Sequence, residues 1–515
     1  FFCGSNASCG WSDTDVARVA ALANLGSVPP ADDSNKYATN PDATALGKLF
    51  YFDTRFSGPS TLLDGLNRTM PFGRTPAGQS AGVACVSCHD AGHAGADPAS
   101  DPGNVSVGAG WTYNNSLATF NSAFYLLHLW NGRADSLWAQ AASDNENGLT
   151  TNGNRLRTAW FISDHYGQAY GNVFTDPTDP TTQLPMAGMT SADVQAMVDT
   201  TGQCVLVSGA CPATCRPVTS TVPGAAAGCF PRFPLQGKPG KTTGCQPGLA
   251  SEPFGDAFDC MDPQDQHAIT QVLVNFAKAI AAYEQTLVTG PAPFDQWAAD
   301  LQAGHGDSST AVPDAAKTGA LLFVGKAGCS DCHNTPLFSD GEFHDVGVGQ
   351  TGPGVPTVDD CPAGGVCDCA PVSADHPGGP KNCLPFGARD GIQKLQANGF
   401  RRDGMWSDEM GDTSALAYVN ADLDTIPIGA YRTPSLRNVS LTAPYMHDGS
   451  MTTLADVVWH YSQGIPDQSN PGAPSASFRP LYLSGDEQAA LVAFLESLVS
   501  APPPDSVLAA PMLPP

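Results

Sequence analysis

The sequence predicts a mainly α-helical protein of two domains that carry long irregular insertions. Apolar side chains recur every three or four residues along 264–288, the spacing of one helical face. Alternation of apolar and polar residues, which marks half-buried strands, is scarce. The chain has 515 residues, of which 42 % are hydrophobic, so it exceeds the usual size of one domain and can bury substantial cores. No apolar run approaches the roughly 18 residues of a membrane-spanning helix.

Apolar spacing and capping residues predict the helices in chain order. The last one begins near Ser484 and Glu487, a pair that can cap a helix N-terminus. After Ala501 the tail reads APPPDSVLAAPMLPP, and its proline density predicts an extended arm rather than a helix. The predicted helices are 14–24, 43–51, 264–288, 314–324, 453–463 and 484–499.

The charge balance limits the partners of the protein. The chain has 50 Asp and Glu against 24 Lys and Arg, a net charge of −26. This disfavours nucleic acid and anionic membranes as partners, because both bind basic surfaces. A basic protein or a small neutral molecule is compatible. The sequence opens FFCGSNASCG, without the charged segment and apolar run of a leader, so we expect a signal peptide that has already been removed.

Cysteines are numerous for a cytosolic enzyme, sixteen in all. Twelve of them lie in irregular stretches rich in glycine and proline, which predicts up to six disulfides in an oxidising compartment, with Cys3–Cys9 as a local loop. A zinc cluster at Cys361, Cys367 and Cys369 is the alternative, although no second close ligand pair follows. The twelve are Cys3, Cys9, Cys204, Cys211, Cys215, Cys229, Cys245, Cys260, Cys361, Cys367, Cys369 and Cys383.

One five-residue motif occurs twice, as CVSCH at 85–89 and CSDCH at 329–333. Two thiols separated by two residues can form thioethers to both haem vinyl groups, and the adjacent histidine then lies beneath the iron. A redox CxxC pair needs no histidine, and zinc needs a second pair nearby. The motifs therefore predict two covalently attached c-type haems. The residues concerned are Cys85, Cys88, His89, Cys329, Cys332 and His333.

Further sequence blocks flank the two motifs in a fixed order. They are LGKLFYFDTRFSG at 46–58, NNSLATFNSAFYLLHLWNGRADSLWAQA at 114–141, AIAAYEQTLVTGPAPFDQW at 279–297 and YRTPSLRNVSLTAPYMHDGSMTTLADVVWHYSQG at 431–464. Together with the two motifs, these blocks resemble the bacterial di-haem cytochrome c peroxidase/MauG family. The two cysteine-rich stretches have no counterpart in that resemblance.

The resemblance implies two cytochrome c-like haem domains, and the cysteine-rich stretches predict long disulfide-stapled loop insertions in them. We expect an N-terminal domain with the peroxide-reactive haem at 1–165 and a Cys/Gly/Pro-rich insertion at 166–262. A C-terminal electron-transfer domain is expected at 263–500, with a second cysteine-rich insertion near 340–412. A proline-rich tail at 501–515 follows.

The resemblance also implies roles for individual residues. His89 and His333 are the expected proximal ligands of the two irons. Trp130 matches a tryptophan that lies between the haems and relays electrons, although on its own it would be an ordinary core aromatic. A calcium ion between the domains, bound through oxygen atoms, is implied at Asn115, Thr442 and Pro444.

The first haem site departs from the classical peroxidases of the family at two positions. Ala109 stands where they have a histidine ligand, so we expect an open or water-bound sixth position. Thr150 stands where they have a glutamate, ten residues past the residue matched by Gln140. A threonine hydroxyl does not shuttle protons near neutral pH. Either Glu146 or Asp144 therefore supplies the carboxylate, or peroxide turnover is slow, and Gln140 remains as a hydrogen-bond donor.

The sixth ligand of the second iron is expected to be Tyr461. The resemblance implies tyrosine at this position in MauG-type enzymes and methionine in peroxidases. Methionine raises the haem potential and suits acceptance of electrons from a cytochrome, whereas an anionic phenolate lowers it. The neighbouring alternatives are Met446, Met451 and His460.

These residues predict a di-haem oxidoreductase. Peroxide or O₂ is expected to react at the His89 haem, with electrons passing from the His333 haem through Trp130. The partner is then an electron-donor protein, or a protein or organic substrate that is oxidised. A non-catalytic di-haem electron carrier is the alternative, and a rubber-cleaving type of oxygenase is a more remote one. The disulfides and the expected signal peptide predict a periplasmic or other extracytoplasmic location.

Overall fold

The computed structural model of the protein confirms the mainly α-helical prediction. Among the described residues, the few strands form two small two-stranded antiparallel sheets. Within the described part of the chain, no helix has the length and apolar character to cross a membrane. The residues that the structure describes are 11–61, 78–97, 105–176, 178–179, 182–198, 203–217, 228–239, 258–259, 261–349 and 387–515.

The predicted helices are present within a few residues of their expected limits. Capping fixes several of these limits. Asn40 Oδ1 accepts the N–H groups of the first turn of α2, and Ser484 and Glu487 form the predicted reciprocal cap of α13. The helices are α1 Asp13–Leu22, α2 Pro41–Phe52, α7 Pro263–Glu284, α9 Asp314–Val324, α12 Leu454–Gln463 and α13 Gly485–Glu496.

Further elements lie where the sequence predicts none. The extended-arm prediction for the tail is wrong over α14 Asp505–Leu508, because Val507 and Leu508 pack on an apolar core. The other helices are α3 Leu137–Glu146, α4 Arg155–Phe161, α5 Gly167–Phe174, α6 Ser191–Met197, α8 Pro293–Gln302, α10 Ala388–Ala397 and α11 Leu416–Val419. Strands β1 Cys215–Pro217 and β2 Cys229–Pro231 pair, as do β3 Phe343–His344 and β4 Tyr431–Arg432.

Helix α7 is the centre of the first hydrophobic core, on which α2, α3 and α4 pack. Helices α2 and α7 approach closely because position 47 is glycine. A Cβ atom at Gly47 would lie 1.8 Å from the carbonyl oxygen of Ala279. Phe50, Phe56 and Phe276 fill the space beside this crossing, with ring centroids between 4.8 and 5.3 Å apart.

The second hydrophobic core repeats this arrangement around α9 and α13, with α1, α8 and α12 packed beside them. A Cβ atom at Gly319 would lie 2.0 Å from the carbonyl oxygen of Ala490, so glycine again permits a close helix crossing. Phe294, Phe323 and Phe494 pack next to it. Each core therefore contains one glycine-mediated crossing, as expected for related units.

The two cores do not follow the predicted domain limits. Helix α7 belongs to the predicted 263–500 domain but packs in the first core. Helix α1 belongs to the predicted 1–165 domain but packs in the second core through Val19 and Leu22. The division into domains stays a prediction. The packing favours assignment of α7 to the first domain and of α1 to the second.

Disulfides cross-link the hairpin of β1 and β2, which lies in the first cysteine-rich stretch. They are Cys204–Cys215 and Cys211–Cys229. This confirms the disulfide prediction for four of the twelve cysteines. The others, including Cys3–Cys9 and the alternative zinc cluster at Cys361, Cys367 and Cys369, lie outside the described residues.

Candidate haem sites and the residues between them

The first CxxCH motif lies in the wall of a cavity beside the first core. Its first residue opens the short 3₁₀ turn Cys85–Ser87, and Cys85, Cys88 and His89 all line the cavity. Neither cysteine is disulfide-bonded in the described structure, as thioether attachment requires.

His89 is oriented by its own loop. Its Nδ1 donates a hydrogen bond to the carbonyl oxygen of Gly95 at 2.9 Å. Gly95 has a φ of +80°, a conformation that glycine adopts without strain. With the proton held at Nδ1, the lone pair of Nε2 is the one available to an iron. Burial lowers the pKa of His89, which keeps the imidazole neutral, as ligation requires.

The second CxxCH motif repeats this geometry in a second cavity. Cys329, Cys332 and His333 line it, and neither cysteine forms a disulfide among the described residues. His333 Nδ1 donates to the carbonyl oxygen of Phe338 at 2.6 Å, so Nε2 again carries the lone pair. Burial also lowers the pKa of His333. Both sites therefore fit covalently attached haem.

Tyr461 lies on α12 and lines the second cavity. Its ring centroid is 5.9 Å from that of Phe478. Burial is the largest cause that raises the pKa of the Tyr461 phenol, and the nearby Cys329 and Cys332 raise it further. A phenol in such a place ionises only when a cation compensates its charge. The predicted iron ligand is therefore next to the cysteines that would hold the haem.

The neighbouring candidates for this ligand position differ in location. Met446 lines the second cavity, whereas Met451 and His460 do not. His460 Nε2 donates to the carbonyl oxygen of Val346 at 2.8 Å, which commits that nitrogen. Of the three alternatives to Tyr461 as the iron ligand, Met446 is thus the one that lines the cavity.

Trp130 lies in the wall shared by the two cavities. Its Nε1 donates to the carbonyl oxygen of Asn115 at 2.8 Å. The Trp130 ring centroid is 6.4 Å from that of Tyr431 and 6.3 Å from that of His447, and these two rings stack at 3.7 Å. The indole therefore lies between the two CxxCH motifs in an aromatic cluster.

The residues expected to bind calcium meet at the edge of the second cavity. Asn115 Nδ2 donates to the carbonyl oxygen of Pro444 at 2.6 Å, and Thr442 lines the same cavity. Calcium binds oxygen atoms. This arrangement fits the ion only after a rotation of the Asn115 amide that turns Oδ1 toward Pro444.

Asp144 is the carboxylate that the structure brings to the first cavity from the predicted distal segment. Its Oδ2 accepts a hydrogen bond from Gln140 Nε2 at 2.5 Å, and its Oδ1 accepts one from Arg133 Nη2 at 2.9 Å. Thr150 donates its hydroxyl to the carbonyl oxygen of Asp144 at 2.5 Å. Ala109 is fully buried and offers no ligand atom, as expected.

Glu146 does not line this cavity. Its carboxylate forms a two-point ion pair with Arg155, with Nη2 2.6 Å from Oε2 and Nε 2.9 Å from Oε1. Both oxygens are thus occupied by a guanidinium that is itself 7 % exposed. The structure corrects the expectation for Glu146, because its ion pair turns the carboxylate to another part of the core.

Besides Asp144, the first cavity is lined by Asp53, Asp390 and Glu284, and the sequence did not predict Glu284 as a site residue. Glu284 is the last residue of α7, lines the cavity and is 5 % exposed. Burial, and then Asp144, raise its pKa to about 8. The sequence signal was one acidic residue at the end of the apolar run of α7, but its long separation from CVSCH concealed its position.

Comparison with known proteins shows that the similarity of this chain goes beyond the two motifs. Residues 41–195 match the family model described as di-haem cytochrome c peroxidase. The cytochrome-c peroxidase IdrP1 of Denitromonas iodatirespirans is 27 % identical over 506 residues, 95 % of this chain and 89 % of the relative. The methylamine utilization protein MauG of Methylorubrum extorquens is 32 % identical over 251 residues, 48 % of this chain and 49 % of the relative. The diheme peroxidase BthA from Burkholderia thailandensis aligns over 95 % of this chain and 97 % of that chain, with 16 % identity and a TM-score of 0.48.

The two CxxCH cavities and the matched family define a peroxidase-like oxidoreductase. The chain is thus similar to the di-haem cytochrome c peroxidase/MauG family. This similarity implies haem c as the cofactor, and the two cavities fit it.

Proposed function

We propose that this protein is a MauG-type oxidoreductase that uses peroxide or O₂ at the His89 haem and oxidises a protein or organic substrate. Haem iron supplies the redox chemistry when bound. The observation that carries the proposal is the Tyr461 phenol, which lines the second cavity beside the second CxxCH motif. A phenolate there would favour the oxidised states of that iron, whereas a thioether would favour its reduced state.

The acid–base groups of the first site are proposed to be Asp144 and Gln140. Asp144 would take up and return a proton at its carboxylate in this cavity, and Gln140 orients that carboxylate through their hydrogen bond. General acid–base catalysis of this kind contributes about 10²–10⁴-fold. Thr150 fixes the end of α3 through the Asp144 carbonyl. Ala109 leaves the sixth position open to a substrate.

Trp130 is proposed to carry electrons between the two haems. Its place in the wall of both cavities supports this role, and the bond to Asn115 holds the indole in one orientation. The packing of Tyr431 and His447 against it further limits its motion.

A calcium ion near Asn115, Thr442 and Pro444 is also proposed. The contact of the Asn115 side chain with the Pro444 carbonyl supports it. Chelation should then lower the thermal stability of the protein, and added calcium should restore it. Unchanged stability would contradict the proposal.

A periplasmic or other extracytoplasmic location is proposed from the two disulfides, which persist in oxidising compartments. The partner is proposed to be an electron-donor protein or the oxidised substrate itself. Cell fractionation of the native host tests the location, and recovery with cytosolic markers would contradict it.

The test of the proposed function is spectroscopic. The oxidised protein should show one high-spin haem that binds cyanide, and it should lack the near-infrared band of a methionine–iron bond. Tyr461→Phe should change the ligand field of one haem only and raise its reduction potential, because a phenolate stabilises the oxidised iron. Met446→Leu is the matched control and should leave both spectra unchanged.

Three results would contradict parts of the proposal. Two low-spin haems that ignore cyanide would indicate a di-haem electron carrier. A methionine band that disappears in Met446→Leu would indicate a second site of the classical peroxidase type. A wild-type spectrum in Tyr461→Phe would remove Tyr461 from the second iron.

A further inference from the structure

Glu284 has no part in the proposed reaction, although it lies in the wall of the first haem cavity. Helix α7 contributes Phe276, Ile280 and Glu284 to the same cavity as Cys85 and His89. The Glu284 side chain is almost completely buried. Its Oε2 has no hydrogen-bond partner among the described residues. A carboxyl group in such a place is stable only when it is neutral or when a positive charge develops nearby.

The surroundings of Glu284 contain no compensating cation. No ion pair to Glu284 is present among the described residues. The groups that face it are Tyr51 on α2, Cys85 in the first motif, Asp144 on α3 and Tyr283 on its own helix. Asp144 is already paired with an arginine. Burial and the Asp144 charge both favour the protonated form of Glu284, which raises its pKa to about 8.

We propose that Glu284 is a redox-linked proton site of the first haem, releasing its proton when the neighbouring iron loses an electron. This inference rests on the proposed haem at His89. The balanced step converts Fe(II) and a protonated carboxyl group into Fe(III), a carboxylate, one proton and one electron. The electron passes to a one-electron acceptor, namely the second haem or an added mediator, and the proton passes to solvent.

The coupling follows from charge in a poorly polarisable environment. An additional positive charge on the iron stabilises a nearby anion, and the interaction is strong where water is excluded. Linkage is reciprocal, so loss of the proton must stabilise the oxidised iron by the same free energy. A neutral Glu284 thus accompanies the reduced haem, and an ionised Glu284 accompanies the oxidised haem.

The experiment is a spectroelectrochemical titration of the di-haem protein over the pH range around the pKa of about 8. The potential of the first haem should fall by up to about 59 mV per pH unit, the one-electron equivalent of a tenfold change in proton concentration. It should be constant at pH values where both redox states keep the proton. The second haem is followed in the same titration, but its slope is no part of the test, because Tyr461 and His344 line its cavity and can exchange protons.

Two variants test whether the exchanged proton is bound at Glu284 or at Asp144. Glu284→Gln imitates the protonated carboxyl group, so it should abolish the slope and keep the potential near the acidic limit of the wild type. Asp144→Asn should retain a slope. Loss of the slope in Asp144→Asn but not in Glu284→Gln would overturn the inference.

The outcome also separates this inference from the proposed function. Absence of a haem at the first motif, measured by mass and by the pyridine haemochrome spectrum, would defeat both. A first haem that is present, binds cyanide and has a pH-independent potential would defeat only the role of Glu284. This wild-type measurement decides the matter even if Glu284→Gln does not fold.

Discussion

The two haem cavities hold the histidines of their CxxCH motifs in the same way. They differ in the other side chains that line them. In both, a partly buried histidine follows a CxxC pair and donates Nδ1–H to a backbone carbonyl a few residues later. The first cavity then adds the carboxyl groups of Asp144 and Glu284. The second has no described carboxyl group in its wall and offers the Tyr461 phenol instead.

Under the proposed function, this difference gives the two sites different tasks. The histidine geometry and the glycine-mediated helix crossing serve haem attachment and stability, so they occur at both sites. Proton transfer is needed where oxygen bonds break, and carboxyl groups supply it. Electron transfer alone needs no proton carrier at the second site, whose walls can therefore hold a single strong iron ligand.

The largest expected effect concerns the acid–base half of this comparison. Asp144→Asn should slow the reaction of the first haem with peroxide by about 10²–10⁴-fold, because the carboxylate that moves the proton is lost. The measurement is stopped-flow absorbance after mixing with peroxide. Reduction of the second haem should remain normal.

Glu146→Gln is the matched control for that prediction. It should leave the peroxide step close to wild type but lower the free energy of unfolding by about 3–5 kcal/mol, because it breaks the buried pair with Arg155. A slow peroxide step in Glu146→Gln together with a normal one in Asp144→Asn would reverse the assignment of the two carboxylates.

A smaller effect is expected at the helix crossings that the two units share. Gly47→Ala and Gly319→Ala should each lower the free energy of unfolding by about 1–3 kcal/mol, because the new methyl group overlaps a backbone carbonyl. Gly485→Ala is the control. A Cβ there meets nothing within 4 Å, so a gain of about 0.4–1 kcal/mol is expected.

Denaturant unfolding measures these three variants. If only one of the two core glycines proved sensitive, the two units would not share the crossing that their geometry indicates.

The smallest effect on stability is expected at the residue between the cavities. Trp130→Phe should cost at most about 1.5 kcal/mol, the net contribution of one hydrogen bond, while slowing electron exchange between the haems. Flash reduction of one haem, followed by absorbance changes of the other, measures that exchange. Trp459→Phe is the control, since Trp459 is 58 % exposed on α12. Unchanged exchange in Trp130→Phe would leave this tryptophan with a packing role only.

The sequence predicted the helices whose apolar stripes are long and whose caps are clear, such as α7 and α13. It missed α3 and α4, because these short helices depend on packing against α7 rather than on their own apolar pattern. Ser136 and Asn154 cap them, but isolated serine and asparagine residues are common in loops. Tertiary contacts therefore stabilise α3 and α4, whose own apolar spacing does not predict a helix.

The residues of the candidate sites also divide into those that local sequence predicted and those that only tertiary packing reveals. Residues within the CxxCH motifs are fixed by covalent geometry, so their meeting at two cavities followed from spacing alone. The choice between Asp144 and Glu146 depended on an arginine nine residues beyond Glu146, which no counting of positions reveals. Glu284 reaches the first motif only through the packing of α7 on α2, a contact between distant parts of the chain.

The exchange of α1 and α7 between the cores affects how the protein can be divided. A fragment that ends before residue 263 would contain the first CxxCH motif without the helix that fills its core. A fragment that starts at 263 would lack α1 from the other core. During synthesis, the first core can close only after α7 has left the ribosome, and α1 must wait for α8 and α9, roughly 300 residues later. Neither half is therefore a natural unit for expression, and dissection at the predicted boundary is expected to give two poorly soluble pieces.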